Sequence, residues 1–271
     1  ERLFPGMRTG HLSTLQTGFS AIALALLVFI IVVLAGMILY PPTGALVQSL
    51  HSAEILFAIM LSLVTSVIST CLCALVAIPV AYSLARGTFP GKRAATILLN
   101  IPLALPPLVA GVALLIFFGP SSIGQFLEAV GVSVVFTPLG IIVALFFVNV
   151  PYLIRVLRST FEDINPRFEH VARTLGCSEW RAFRRVTLPL ARHGLGAGLV
   201  ITWSKCIGEF GAVLILAGAT RMKTETLPIA LFLNMSTGEI ELAIAAAIIL
   251  IGISLASLLI LEYFSSDSCF F

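Results

Sequence analysis

The sequence predicts an all-α protein that crosses a membrane six times, and three observations carry that expectation. The first is composition. Hydrophobic residues make up 59% of the chain and charged ones 11%, with a mean hydropathy of +1.08, whereas soluble domains are about a quarter charged. A soluble globule could not hide so much apolar surface. The second is a set of six apolar runs, each near or above the roughly 20 helical residues that span a bilayer. They are 19–40, 55–85, 94–118, 137–154, 194–219 and 242–261. The third is the distribution of basic residues, which alternates strongly between successive loops.

The run 19–40 is too long for a signal peptide and lacks a small-residue cleavage site, so it reads as a span. The run 55–85 exceeds a simple crossing and contains Pro79, so it should tilt, kink or project beyond the bilayer. Pro102, Pro106 and Pro107 interrupt the third run. The fifth carries Lys205 and Glu209. The one substantial segment between spans is 157–193, and the whole chain, 1–271, reads as a single membrane domain. We find no internal repeat.

Orientation follows from the charges. With the N-terminus inside, the cytoplasmic segments hold Arg2, Arg8, Arg86, Lys92, Arg93 and eight arginines from Arg155 to Arg192, thirteen of the 16 basic residues. The outer loops hold Arg221 and Lys223. The positive-inside rule then places both termini in the cytoplasm of a multi-pass cell-membrane protein. The net charge of +3 reflects this topology, and no nucleic-acid partner is implied. Outer loops of roughly 15–20 residues leave no room for an external domain.

Spacing excludes several chemistries. Gly87-Thr-Phe-Pro-Gly-Lys-Arg93 has one residue too few between its glycines for a phosphate-binding loop, and an arginine stands where Ser or Thr should bind magnesium. His11, His51, His170 and His193 are scattered and make no metal set. Cys71 and Cys73, two apart in a span, point to different helix faces. No catalytic residue and no metal ligand is assigned. If ATP drives this protein, a separate subunit binds it.

The segment 169–190, EHVARTLGCSEWRAFRRVTLPL, stands out as strongly charged within an apolar protein. Asn165-Pro166 opens a helix with a capping residue followed by a proline at the first helical position. Phe168, Val171, Ala172 and Leu175 then form one stripe at i, i+3, i+4 and i+7. Gly176 supplies a positive-φ stop, and Ser178 can cap a second short helix carrying Trp180 and Phe183. Such a pair must dock on something, either a protein partner or anionic lipid headgroups.

Two groups of polar residues lie within spans. Lys205 and Glu209, four apart, share a helix face, so they either line a pathway or form an internal ion pair. Ser62, Ser66 and Ser69 share a face of the second span. Their hydroxyls could bind an oxyanion without trapping it, or could serve helix packing through small residues.

The layout of residues 169–190 resembles the cytoplasmic loop of binding-protein-dependent ABC transporter permeases, whose motif E-A-A-x-x-x-G is followed by Leu-Pro. Gly176 and Leu188-Pro189 match in separation. Counting back from Gly176, the motif's glutamate falls on His170 and its alanines on Val171 and Ala172, so the acid, Glu169, is offset by one. The resemblance implies a type I importer fold in which this loop forms coupling helices. Phe168, Glu169, His170, Val171, Ala172, Leu175, Gly176, Trp180 and Phe183 would then meet a groove on a cytoplasmic ATPase. It also implies two such ATPases carrying ATP and magnesium, a second permease copy and an external substrate-binding protein, with no cofactor on this chain.

Three further stretches, Pro102–Gly111, Ile207–Gly218 and Thr226-Leu-Pro228, are similar to permeases for molybdate, tungstate and sulfate. The run Gly208-Glu-Phe-Gly-Ala212 points to the molybdate/tungstate branch. A secondary transporter should show repeats and unwound midplane helices, and a membrane enzyme should show clustered titratable groups. The sequence shows neither.

Overall fold

The computed structural model describes residues 14–40 and 48–266, and among these the regular structure is entirely helical. In chain order the helices are α1 (Thr14–Leu39), α2 (Ala53–Arg86), α3 (Lys92–Ala104), α4 (Pro107–Phe118), α5 (Ser122–Ala129) and α6 (Pro138–Asp163). There follow α7 (Arg167–Thr174), α8 (Glu179–Ala182), a π-helical turn (Phe183–Thr187), α9 (Leu188–Leu190), α10 (Arg192–Gly208), α11 (Gly211–Ala217), α12 (Leu227–Thr237) and α13 (Ile240–Ser266). Helices α1, α2, α6 and α13 are long and apolar enough to cross a membrane, and six crossings result if each of two bent pairs is counted as one.

Those bends have local causes. Helices α3 and α4 meet at 107°. Pro106 and Pro107 lack amide hydrogens and drive Leu105 into extended backbone (φ −77°, ψ 139°), while Pro107 opens α4. Helices α10 and α11 meet at 57° because α10 stops at Gly208 and Glu209 is extended (φ −71°, ψ 126°). This overturns the expectation that Lys205 and Glu209 share one helix face. The Glu209 carboxylate instead accepts the Ala212 amide at 3.2 Å and caps α11. Lys205 Nζ lies 5.2 Å from the centre of the Tyr152 ring, a cation–π contact.

Helix α2 runs unbroken for 34 residues through Pro79. At 1.5 Å per residue it is about 51 Å long, well beyond the roughly 30 Å hydrocarbon core. Its faces are sorted. Leu56, Met60, Val64, Val67 and Leu75 are exposed at helical spacing, while Ser62, Thr65, Ser66, Ser69, Cys73 and Ala77 are buried. The buried face packs along α6, where Cys73, Ala77, Ala81 and Leu84 meet Leu153, Ile154, Leu157 and Phe161. A second core joins α4, α6 and α11 through Leu114, Ile141, Ala144, Leu145, Val213 and Leu216.

Small residues recur at these contacts because lipid tails are as apolar as side chains, so close approach and dispersion must hold the helices together. Gly111 is one instance. A Cβ there would sit 2.8 Å from the Cβ of Ile215, so α4 and α11 touch backbone to side chain.

Helix α12 has no counterpart among the six expected spans. Its stretch had the character of an outer loop, yet Leu227, Ile229, Ala230 and Asn234 are fully buried. The Ser62 hydroxyl accepts the Leu227 amide at 2.8 Å, which anchors the start of α12 on α2. The same end of the molecule carries a charged cluster. Arg221 reaches Glu54 at 2.6 Å and Asn234 Oδ1 at 3.1 Å, with Glu239 3.7 Å away. Behind it, Glu225 is fully buried and accepts the Met222 amide at 2.9 Å. Glu225 Oε1 and Glu54 Oε1 are both buried without a hydrogen-bond donor. A proton shared between the two carboxyls would satisfy both.

Burial first, and then the neighbouring Glu54, push the Glu225 carboxyl above its ordinary value, against the Met222 amide and Arg221. A raised carboxyl favours the protonated folded state, so its contribution is complete below the ordinary carboxylate value. It is lost as pH rises through the raised one. The melting temperature of the purified protein should therefore fall from mildly acidic to alkaline buffer. Glu225→Gln, which is neutral throughout, should flatten that fall, as differential scanning fluorimetry across the pH series would show.

Candidate functional site

Between α6 and α10 the chain leaves the bundle and folds back on the end of α2. Asn165 Oδ1 accepts the Arg167 amide at 3.0 Å and starts α7. At the other end of α7, Cys177 N donates to Ala172 O and Gly176 N to Arg173 O, both at 3.0 Å, with Gly176 at φ +87°. This pair of bonds is the Schellman stop, and the left-handed residue it needs is the glycine. Ser178 Oγ then accepts the Arg181 amide to open α8. Two short helices are thus set at a fixed angle by local bonds alone.

The outward face of this elbow is apolar. Leu175 is 81% exposed, Trp180 67%, Val171 56% and Phe168 55%. His170 is also exposed, and Ala172 is half-buried. Two residues expected on that surface face inward instead. Phe183 is half-buried, edge-on to Tyr82 at 4.6 Å and stacked on Trp180 at 5.7 Å. Its place in the π-helical turn aims the ring at Phe161 and α2.

Glu169 is the other, with a side chain only 12% exposed. It accepts Tyr82 Oη at 2.9 Å and Arg86 Nε at 3.0 Å, and Arg86 Nη2 donates to Ile164 O at 2.8 Å. The one-residue offset of the acid has a physical consequence: at position 169 the carboxylate points to α2, while His170 points outward. Burial alone would raise the Glu169 carboxyl, but hydrogen bonds from Tyr82 and Arg86 and the guanidinium charge hold it below its ordinary value. Sequence reasoning missed Tyr82 and Arg86. A tyrosine and an arginine one turn apart at the end of a span, facing a lone acid in the next loop, were the available signal.

The proposed pathway serines lie elsewhere than a conduit. Ser62, Ser66 and Ser69 are all buried against the rest of the bundle. Ser62 is used by α12, and Ser66 Oγ donates back to Leu63 O at 3.0 Å. The small space beside Ser62, Thr65 and Glu209 has no room for a water. Small hydroxylated residues here let α2 approach its neighbours, and Thr65, Ser66 and Thr70 return their hydroxyls to the backbone. Lys205 is exposed on α10, away from Glu209, and the two are not ion-paired.

Comparison with known proteins gives this geometry its family. The model described as "Binding-protein-dependent transport system inner membrane component" matches residues 75–267. The chain belongs to this family. It is a multi-pass inner-membrane permease, the transport component of an ABC importer whose ATPase is a separate subunit.

A sulfate transport system permease protein of a Synechocystis species is 31% identical over 92% of this chain and 93% of its own length. The molybdenum transport system permease protein of Mycobacterium tuberculosis is 37% identical over 72% and 77%. The molybdate/tungstate permease protein of Thermococcus kodakarensis is 35% identical over 73% and 76%. Among solved structures, a bacterial alginate ABC transporter in complex with its pentasaccharide-bound periplasmic protein superposes with a TM-score of 0.73 at 18% identity, covering 94% and 93% of the two chains. A methionine ABC transporter in inward-facing conformations reaches 0.59 at 17% identity over 78% and 96%. At such identities the structures share the fold with this permease.

The tie to α2 yields a test. Glu169→Gln leaves Arg86, 16% exposed, without its counter-charge, and should cost about 1.5–3 kcal/mol, the usual range for a charged hydrogen bond. Arg86→Met should cost a similar amount, and the double variant should cost less than their sum. Melting curves of the four proteins check this. Because the Glu169 carboxyl is held low, its contribution is present at neutral pH and should vanish as pH falls through that lowered value.

Proposed function

We propose that this permease pairs with a second copy and two cytoplasmic ATPases to import a tetrahedral oxyanion, molybdate or tungstate, delivered by an external binding protein. The observation that carries the docking half is the elbow of α7 and α8. It presents Phe168, Val171, Leu175 and Trp180 to the outside while Glu169 and Phe183 hold its inner side to α2. Apolar anchors rimmed by Arg173, Arg181 and Arg184 suit a groove in a protein partner. In this reading both termini and the elbow lie in the cytoplasm, and ATP and magnesium stay on the ATPase. ATP binding closes the ATPases, moves the docked elbows and turns the pathway outward; hydrolysis resets it.

Molybdate or tungstate is supported by the Gly208–Ala212 run and by relatives at 35–37% identity whose names carry those ions. Sulfate is the second reading, and a specific observation favours it: a sulfate permease matches over 92% of this chain.

Two experiments test these halves separately. An aspartate at Leu175 or Trp180 puts a charge into the partner's pocket, where losing one such anchor costs 2 kcal/mol or more, about thirtyfold in affinity. Either variant should insert and fold but lose the ATPase on co-purification. Retention at full stoichiometry would contradict the docking role. For the substrate, titration calorimetry of the matching binding protein with molybdate, tungstate and sulfate should give tight binding to the first two. Tight binding to sulfate alone would move the assignment to the second reading.

A further inference from the structure

Helix α6 carries two arginines in its final third whose positions the docking elbow does not explain. Arg155 and Arg158, with Ser159, face a cavity of about 680 Å³ between α6 and α3, whose opposite wall offers Thr96 and Asn100. A second cavity of about 410 Å³ shares Arg155 and Ser159 as walls and reaches Tyr152. Over the Tyr152 ring lies the ammonium of Lys205, on α10. Tyr152, Arg155 and Ser159 fall at i, i+3 and i+7, a single face of α6. Arg155 and Ser159 thus join the two cavities into one trough, which Arg158 also lines and which Lys205 adjoins through Tyr152.

The charges in this trough are unevenly paired. Arg158 is held, with its Nε on Glu162 at 2.8 Å and Nη1 on Thr96 Oγ1 at 3.4 Å. Arg155 makes no hydrogen bond or ion pair among the described residues, and Lys205 has the Tyr152 ring but no carboxylate. Cations within or at the edge of a span are costly unless they meet water or a counter-charge. The two acids, Glu162 and Asp163, line the same cavities, but at the elbow end. An anion coming from the Lys205 side thus meets unpaired cations first and carboxylates last. Attraction followed by repulsion is what a conduit needs, because an ion must be held weakly enough to leave.

We propose that Lys205, Arg155 and Arg158 form an anion track on the elbow side of this permease, in which Arg155 binds a free tetrahedral oxyanion during its exit. Guanidinium N–H groups match the paired oxygens of such an ion, and Ser159 adds a hydroxyl donor. The track rests on the oxyanion reading above and names the residues that would handle the ion. A lipid phosphate offers the same chemistry, so the test must separate the two sources.

The permease–ATPase complex is placed in phosphatidylcholine nanodiscs without binding protein and titrated with molybdate and with sulfate. Wild type should bind one of these ions. Arg155→Gln should weaken that binding by about tenfold, the worth of one charge-assisted hydrogen bond, and Arg155→Lys, which keeps the charge but not the paired N–H groups, should fall between the two. In vesicles supplied with binding protein, Arg155→Gln should slow uptake by a similar factor while the external concentration for half-maximal uptake stays put. Unchanged melting temperature and ATPase co-purification show that the variant is folded.

Undiminished binding and uptake in Arg155→Gln would overturn the track. So would discs that bind neither ion yet retain phosphatidylglycerol in wild type and release it in Arg155→Gln, the signature of a lipid site. Failure of wild-type vesicles to import either ion would bring down the oxyanion reading itself, which separates the two failures.

Discussion

The contact on which the rest depends is the carboxylate of Glu169 wedged between Tyr82 and Arg86. Without it, α7 and α8 would be held to the bundle by the packing of Phe183 on Tyr82 and by the chain at either end. With it, the elbow is fixed to the last turn of the longest helix among the described residues. Arg86 doubles the attachment by holding the Ile164 carbonyl, so the chain leaving α6 is fastened at the same point. A push on Trp180 or Leu175 is then a push on α2. The rings of Tyr82, Phe161 and Phe183 pack edge-on to one another beside the polar tie.

What lies above the tie is stiff enough to carry such a displacement. Helices α2 and α6 pack through alanines and β- or γ-branched side chains along their inner halves, with α10 beside them. Close-packed interfaces of this kind shift between discrete arrangements more readily than they deform. At the far end, α12 is keyed to α2 by Ser62, and Arg221 gathers Glu54, Asn234 and Glu239. One helix therefore links the elbow with a charged cluster at the opposite end.

Much of this was legible in the sequence, for reasons that differ by element. The spans follow from hydropathy alone, and the turn at Leu105 from two prolines in succession. The elbow was legible from Asn165, Gly176 and Ser178, since each is a local device whose bonds lie within a few residues. The break at Glu209 was not, because Gly208 to Ala212 contains no proline and its backbone is set by packing against α4. The inward turn of Phe183 depends on a π-helical turn that no propensity announces. The serines of α2 misled for a related reason: a polar stripe looks the same whether it faces water or a neighbouring helix. Tyr82 and Arg86 are far from Glu169 in sequence, and only the fold brings them together.

Pulsed electron–electron distance measurements offer the most direct test that the elbow and α2 move as one body. Spin labels at Thr174 on α7 and at Leu56, near the far end of α2, would be introduced into a cysteine-free chain assembled with its ATPase. The distance between them within one chain should remain unchanged between the nucleotide-free and the ATP-trapped complex. A shift of the Thr174–Leu56 distance on trapping, with Glu169 and Arg86 intact, would contradict the account.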